Sequence, residues 1–150
     1  MFPPERIVCL TEETVETLYL LGEDRRIVGV SGYAVRPPQV RREKPRVSAF
    51  ISADLPKILG LKPDLVLTFS DLQADIVAEL IRANVAVHAF NQRDVAGIFD
   101  MIRTLGALVG VPEKQTRWRA RWPRASILCT SAAYVWTTGR GSISRNGTSR

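Results

Sequence analysis

The stretch LPKILGLKPDLVLTF, residues 55–69, contains the signal that decides the fold. Asp54 can cap a short helix over its first half, and Pro56 then occupies the first turn, where proline is tolerated. A Pro-Asp turn follows, and the stretch ends in LVLTF, a nearly continuous run of apolar and β-branched side chains. Such a run is typical of a parallel strand that is covered on both faces. The stretch therefore predicts a helix followed by a buried strand.

The same alternation extends on both sides of this stretch. Further strand-like runs occupy residues 6–10, 27–31, 46–50 and 85–90. Helical patterns occupy residues 12–21, 72–83 and 95–109, with candidate caps at Thr11, at Ser70 or Asp71, and at Asp94. The spacing of the last two predicts buried stripes made of Ile76, Leu80 and Ile81, and of Ile98, Ile102, Leu105 and Val109. The prolines of residues 32–45 disfavour helix, so we expect an ordered loop there. The alternation predicts a doubly wound α/β fold with a mostly parallel sheet.

In a sheet of this kind ligands bind beyond the carboxyl ends of the strands. The sequence places polar and aromatic residues at those points, which makes them candidates for a binding site. They are residues 11–13, residues 31–33 with Tyr33, then Phe50, then Phe69 with Ser70 and Asp71, and finally Asn91 and Gln92.

Charge is distributed unevenly along the chain. Residues 1–114 hold fourteen Lys and Arg against fifteen Asp and Glu, a formal charge of 14 − 15 = −1. Residues 115–150 hold seven arginines and no carboxylate, so the net charge of +6 arises in this segment. The break predicts one α/β lobe over residues 1–114 and an irregular, unrelated tail over residues 115–150.

The segments RIVCLTEETVETLYLLG, IVGVSGYAVRPPQV and LPKILGLKPDLVLTF resemble the cobalamin/iron-siderophore class of ABC-transporter substrate-binding proteins, most of all its cobalamin-binding branch. The resemblance covers about residues 4–114 and corresponds to the amino-terminal lobe only. It implies one of two α/β lobes that are joined by a long helix and hold the ligand between them. The implied ligand is cobalamin, another corrinoid or a ferric siderophore, carried as cargo and not used as a cofactor. The implied partner is the permease of an ABC importer.

The resemblance also implies roles for individual residues. Tyr33 matches an aromatic residue that lies against the corrin in cobalamin binders, and Phe50 stands where the family often has Trp. Aromatic faces suit a flat macrocycle because they supply a large apolar area at low entropic cost. Arg36 replaces a second Tyr and favours a carboxylate-bearing ligand. Pro56 replaces the acidic residue that docks on the transporter, which transfers that role to Asp54, two positions earlier.

The tail stands where the family has the helix that joins the lobes. It is rich in Arg, Trp, Gly, Thr and Ser, which a GC-rich coding strand can give when it is read out of frame. We therefore expect a frameshift just after Lys114 and a disordered tail over residues 115–150. With the second lobe missing, half of the cleft would be exposed, and we expect weak or no ligand binding and poor solubility.

Several other classes of function find no support in the residues. Cys9 and Cys129 make neither a disulfide framework nor a metal cluster, and His88 has no second His or Cys placed to share a metal. Glu12 and Glu13 fit the acidic first turn of a helix better than a catalytic carboxylate pair. The sequence has no nucleophile motif, CxxC or phosphate loop, so we expect a protein that is not an enzyme.

The remaining expectations concern partners and location. The basic loop at residues 41–46 is interrupted by Glu43 and lacks stacking aromatics, so we expect no nucleic-acid partner. No apolar run approaches the roughly 18 residues that span a bilayer, so we expect no membrane insertion. The start MFPPERIVCL lacks a signal peptide, which predicts a cytoplasmic location as written and a periplasmic one if the true start lies upstream. The alternative interpretation is a small cytosolic α/β regulatory or enzyme domain with an Arg-rich interaction tail.

Overall fold

A single parallel sheet of five strands organises the computed structural model, which describes residues 2–49 and 52–113. The strands are β1 (Ile7–Cys9), β2 (Ile27–Ser31), β3 (Arg46–Ser48), β4 (Leu65–Phe69) and β5 (Val87–Phe90). Their order in the sheet is β3-β2-β1-β4-β5, and every pairing is parallel. The predicted doubly wound α/β class is thereby confirmed. The direction of winding reverses between β1 and β4, which makes that pair the switch point of the sheet.

Helices connect the strands in the expected order. They are α1 (Glu12–Leu21), α2 (Val40–Glu43), α3 (Leu55–Gly60), α4 (Ala74–Arg82) and α5 (Val95–Leu108). Short 3-10 turns over Asp24–Arg26 and Asp71–Gln73 precede β2 and α4. The helix α2 is a correction, because an ordered loop without helix was expected there. It begins three residues after Pro37, and the amide of Val40 donates to the Pro37 carbonyl. Among the described helices, none has the length and apolarity required to cross a bilayer.

The central strands β1 and β4 are apolar at almost every position, with Thr68 as the buried polar exception, because each face of the sheet has its own core. Ile7 and Cys9 of β1 pack with α1 and α5, whereas Val8 and Leu10 pack on the opposite face with α3 and α4. All four side chains are fully buried. Burial raises the pKa of the Cys9 thiol to about 12, so this cysteine packs as a small apolar residue.

Two of the five described α-helices, α3 and α5, begin with a side-chain cap. The carboxylate of Asp54 accepts from the Lys57 amide at 3.0 Å, and that of Asp94 accepts from the Gly97 amide at 2.7 Å, as expected of caps. Thr11 corrects the expectation, since its side chain makes no capping hydrogen bond. Its carbonyl instead accepts from the Thr14 hydroxyl at 3.1 Å.

The amino edge of the sheet, where the strands begin, is held by side chains bonded to backbone. The carboxylate of Asp64 accepts from the amides of Glu5 and Arg6 at 2.8 and 2.9 Å. The guanidinium of Arg6 donates hydrogen bonds to the carbonyls of Leu61 and Lys62. These bonds fix the entry of β1 beside the entry of β4.

Candidate functional site

The five strands are parallel, so their carboxyl ends share one edge of the sheet, called here the carboxyl edge. The described candidate residues that follow β1, β2, β4 and β5 all come to this edge. Phe50 lies outside the described residues. Adjacent strands are about 4.8 Å apart, so the ends of β2 and β4, separated by β1, lie about 10 Å apart.

The first cluster on this edge surrounds the loop after β2. Tyr33 is 61% exposed, and its amide donates to the Ser31 hydroxyl at 3.3 Å. The guanidinium of Arg36 donates to Glu12 at 3.3 Å and lies 3.8 Å from the Glu16 carboxylate. Glu12 also accepts from the Val35 amide at 3.4 Å. Helix α1 therefore holds this loop in place. Its carboxylates also pair with Arg36, the residue that was expected to favour a carboxylate-bearing ligand.

The second cluster joins the ends of β4 and β5. The guanidinium carbon of Arg93 lies 5.8 Å from the centre of the Phe69 ring, within cation–π range. The same guanidinium donates to the exposed Asp71 carboxylate at 3.3 Å. Asn91 is exposed beside them at the end of β5. Arg93 was not predicted from the sequence. The one signal for it was its position, three residues after the last residue of β5.

The backbone at the switch point is held by two polar residues. Ser70 has φ 59° and ψ 177°, a region that is strained for any residue except glycine, and its hydroxyl caps the next turn by accepting from the Leu72 amide at 3.3 Å. Gln73 is fully buried; its side-chain amide donates to the Leu10 carbonyl at 3.2 Å and accepts from the Phe69 amide at 3.0 Å. Gln73 thus ties the end of β1 to the end of β4.

A cavity of about 460 Å³ opens at this edge between the starts of α1 and α5. Its wall combines apolar side chains with Glu13, Arg93 and Asp94. Burial raises the pKa of the Glu13 carboxyl above its ordinary value. Ile98 lines the cavity and is 42% exposed, which corrects the expectation that it points into the core. Met101, one turn further along α5, is buried in that core.

Among residues 2–49 and 52–113, no three His, Cys, Asp or Glu side chains converge as a metal site would require. His88 packs edge-on against Phe90 with ring centres 4.4 Å apart, and burial lowers its pKa.

Comparison with known proteins gives this edge its context. The sequence profile described as "Periplasmic binding protein" matches residues 7–137. This chain belongs to the periplasmic binding protein family. That confirms the family-level resemblance, and the family is one of solute-binding proteins. The match continues 137 − 114 = 23 residues past the change in composition, and the frameshift stays a prediction.

Individual relatives of this periplasmic binding protein agree with the family match. A vitamin B12-binding protein of Vibrio cholerae is 40% identical over 68 residues, which cover 45% of this chain and 24% of the relative. An ABC transporter substrate-binding lipoprotein of Bacillus subtilis is 28% identical over 115 residues, covering 74% of this chain and 36% of the relative. The solved periplasmic vitamin B12 binding protein of Vibrio cholerae superposes with a TM-score of 0.70 at 29% identity, covering 77% of this chain and 45% of that one. The chain thus spans about a quarter to a third of these curated relatives and less than half of the solved chain.

Proposed function

We propose that this lobe provides one wall of a ligand-binding cleft and captures a corrinoid or an iron chelate for an ABC importer, without catalysing a reaction. One observation carries the proposal: Tyr33 is 61% exposed at the carboxyl edge of a periplasmic-binding-protein sheet. An exposed aromatic face at this edge supplies a large apolar area that a flat ligand can cover at low entropic cost. The names of the relatives support a corrinoid.

The other predicted site residues either offer contacts to the ligand or position the residues that do. Phe69, under Arg93, offers a second apolar contact about two strand spacings from Tyr33, and Asn91 offers an exposed amide beside it. Ser70 and Asp71 act through position, by capping the turn and by holding the arginine. Phe50 remains part of the proposed wall on the strength of its sequence position.

Docking on a permease is proposed for Asp54. Its carboxylate caps α3 through the Lys57 amide, and the residue is exposed at the start of that helix. A carboxylate accepts several hydrogen bonds, so capping leaves capacity for a basic partner residue. Export to the periplasm belongs to the same proposal, because an importer's binding protein meets its ligand outside the cytoplasm.

The test is a titration of the 150-residue chain with cyanocobalamin, followed by amide chemical shifts in NMR, which detect weak binding. We expect shifts that map to the loops after β2 and β4, with a Kd of about 1 mM, or roughly −4 kcal/mol. Tyr33→Ala should abolish the shifts, and Tyr33→Phe should retain them because it keeps the aromatic face. Shifts confined to the amino edge, or none with cyanocobalamin or a ferric siderophore, would refute the proposal.

A further inference from the structure

The two arginines of the carboxyl edge are each engaged by carboxylates of the lobe itself. Arg36 lies 3.3 Å from Glu12 and 3.8 Å from Glu16. Arg93 lies 3.3 Å from Asp71. Both arginines are more than half exposed, so these pairs sit where a ligand would arrive and not in the core.

Carboxylates outnumber the arginines around these two points. Beyond the paired residues, Glu13 and Asp94 line the cavity that Arg93 also lines. With Glu12, Glu16 and Asp71 this makes five carboxylates against two guanidinium groups, a formal charge of 2 − 5 = −3 when all are ionised. An arriving carboxylate would meet a surface whose positive charge is already neutralised.

Exposed ion pairs are individually weak, so the pairs alone would not exclude an anion. Displacing Glu12 from Arg36, however, gains one ion pair and loses another, while the added negative charge is repelled by the released carboxylate. A primary amide avoids this exchange because its N–H groups donate to carboxylate oxygens and its carbonyl accepts from an arginine. The edge therefore discriminates by charge on the periphery of the ligand.

We propose that Glu12 and Asp71 are specificity-determining residues, which neutralise Arg36 and Arg93 so that the edge selects a ligand with an amide periphery over one with free carboxylates. The inference rests on the proposed function, because it concerns the same edge. It reverses the expectation attached to Arg36 in the sequence, namely affinity for an anion. It also narrows the substrate class from corrinoids and iron chelates in general to uncharged, amide-bearing macrocycles.

The test uses two ligands that differ in one functional group: cyanocobalamin, and its monocarboxylic derivative in which one propionamide is hydrolysed. The 150-residue chain is titrated with each by NMR at low ionic strength. We expect the amide form to bind about tenfold more tightly. That preference should shrink as salt is raised, because exposed charges are screened.

The decisive variants are Glu12→Gln and Asp71→Asn, which keep an acceptor and the size of the side chain but remove the carboxylate 3.3 Å from each arginine, while Glu16 stays 3.8 Å from Arg36. Each should reduce the preference, and the double variant should abolish or invert it. Glu79→Gln, on the exposed side of α4, is the matched control and should leave the preference intact. Thermal unfolding of each variant checks that the lobe is folded.

The outcomes separate this inference from the proposed function. Binding of both ligands with equal affinity to the unmodified chain, or a preference that survives in the double variant, overturns the inference and leaves the cleft wall in place. Absence of binding by either ligand overturns the proposed function, and the inference with it.

Discussion

The two edges of the sheet use polar side chains in opposite ways. At the amino edge, Asp64 and Arg6 bond to backbone groups and thereby hold the chain together. At the carboxyl edge, Arg36 and Arg93 pair with other side chains, while the apolar faces of Tyr33, Leu72 and Ile98 are left exposed. The contrast agrees with the proposal that the carboxyl edge is the one that contacts a ligand, whereas the amino edge holds the lobe together.

Gln73 is the exception to this contrast, and its substitution should have the largest effect on the free energy of unfolding. Gln73 lies under the carboxyl edge but is fully buried and bonded to the backbone of both β1 and β4. Gln73→Ala should lower the free energy of unfolding by about 3 kcal/mol, because it leaves a void and two unsatisfied backbone groups. Urea unfolding measures this, with Asn91→Ala, an exposed amide on the same edge, as the control. A loss no larger than that of the control would refute a structural role for Gln73.

The amino edge should respond next most strongly. Asp64→Ala removes the acceptor of the Glu5 and Arg6 amides, and we expect a loss of about 2 kcal/mol of unfolding free energy. Ligand binding at the opposite edge should not change. The control is Asp100→Ala, which breaks only an exposed pair with Arg103 and should cost less than about 0.5 kcal/mol. Equal effects of the two substitutions would remove the distinction between the edges.

For Tyr33 we expect the reverse, namely weaker ligand binding with almost unchanged stability. Because its side chain is mostly exposed, Tyr33→Ala should change unfolding free energy by less than about 0.5 kcal/mol. The affinity of the Tyr33→Ala chain for cyanocobalamin should fall at least tenfold, a loss of about 1.4 kcal/mol of binding free energy. Parallel urea unfolding and NMR titration measure both quantities on one preparation. A large loss of stability with unchanged binding would mean that Tyr33 packs the lobe.

The smallest expected effect is the pH dependence that Glu13 gives to stability. Its pKa is raised by burial, so its protonated form favours folding below the unfolded value of about 4.5, and this contribution is lost as pH rises through the folded pKa. Glu13→Gln should therefore be slightly more stable than the unmodified chain at neutral pH. The difference should vanish below about pH 4.5. Urea unfolding at several pH values checks the trend, and a variant that is less stable at neutral pH would contradict it.

The fold could be predicted from sequence because its determinants are local. A strand covered on both faces is apolar at nearly every position, as the segment around Val8 and that around Val66 are. Capping is equally local, which is why Asp54 and Asp94 were identified. Thr11 was predicted as a cap in the same way, and that prediction was wrong, because its hydroxyl bonds to the Thr14 hydroxyl and to no helix amide.

The site was harder to predict because its contacts join distant parts of the chain. Arg93 reaches Asp71 across 22 residues, and Gln73 reaches Leu10 across 63. No periodicity encodes such pairs. Helical spacing also gave the apolar stripes of α4 and α5 but not their limits, so Ile81 and Ile98 were assigned to the core although they are 60% and 42% exposed.

The unusual backbone of Ser70 bears on how a ligand would be received. Glycine would adopt this conformation without strain, but it would also give the turn many others. Serine, fastened to the Leu72 amide, confines the turn to one shape. Phe69 and Asp71 on either side are therefore already oriented, and binding of the proposed ligand would lose less entropy in ordering them. The backbone strain at Ser70 thus comes with preorganisation of Phe69 and Asp71.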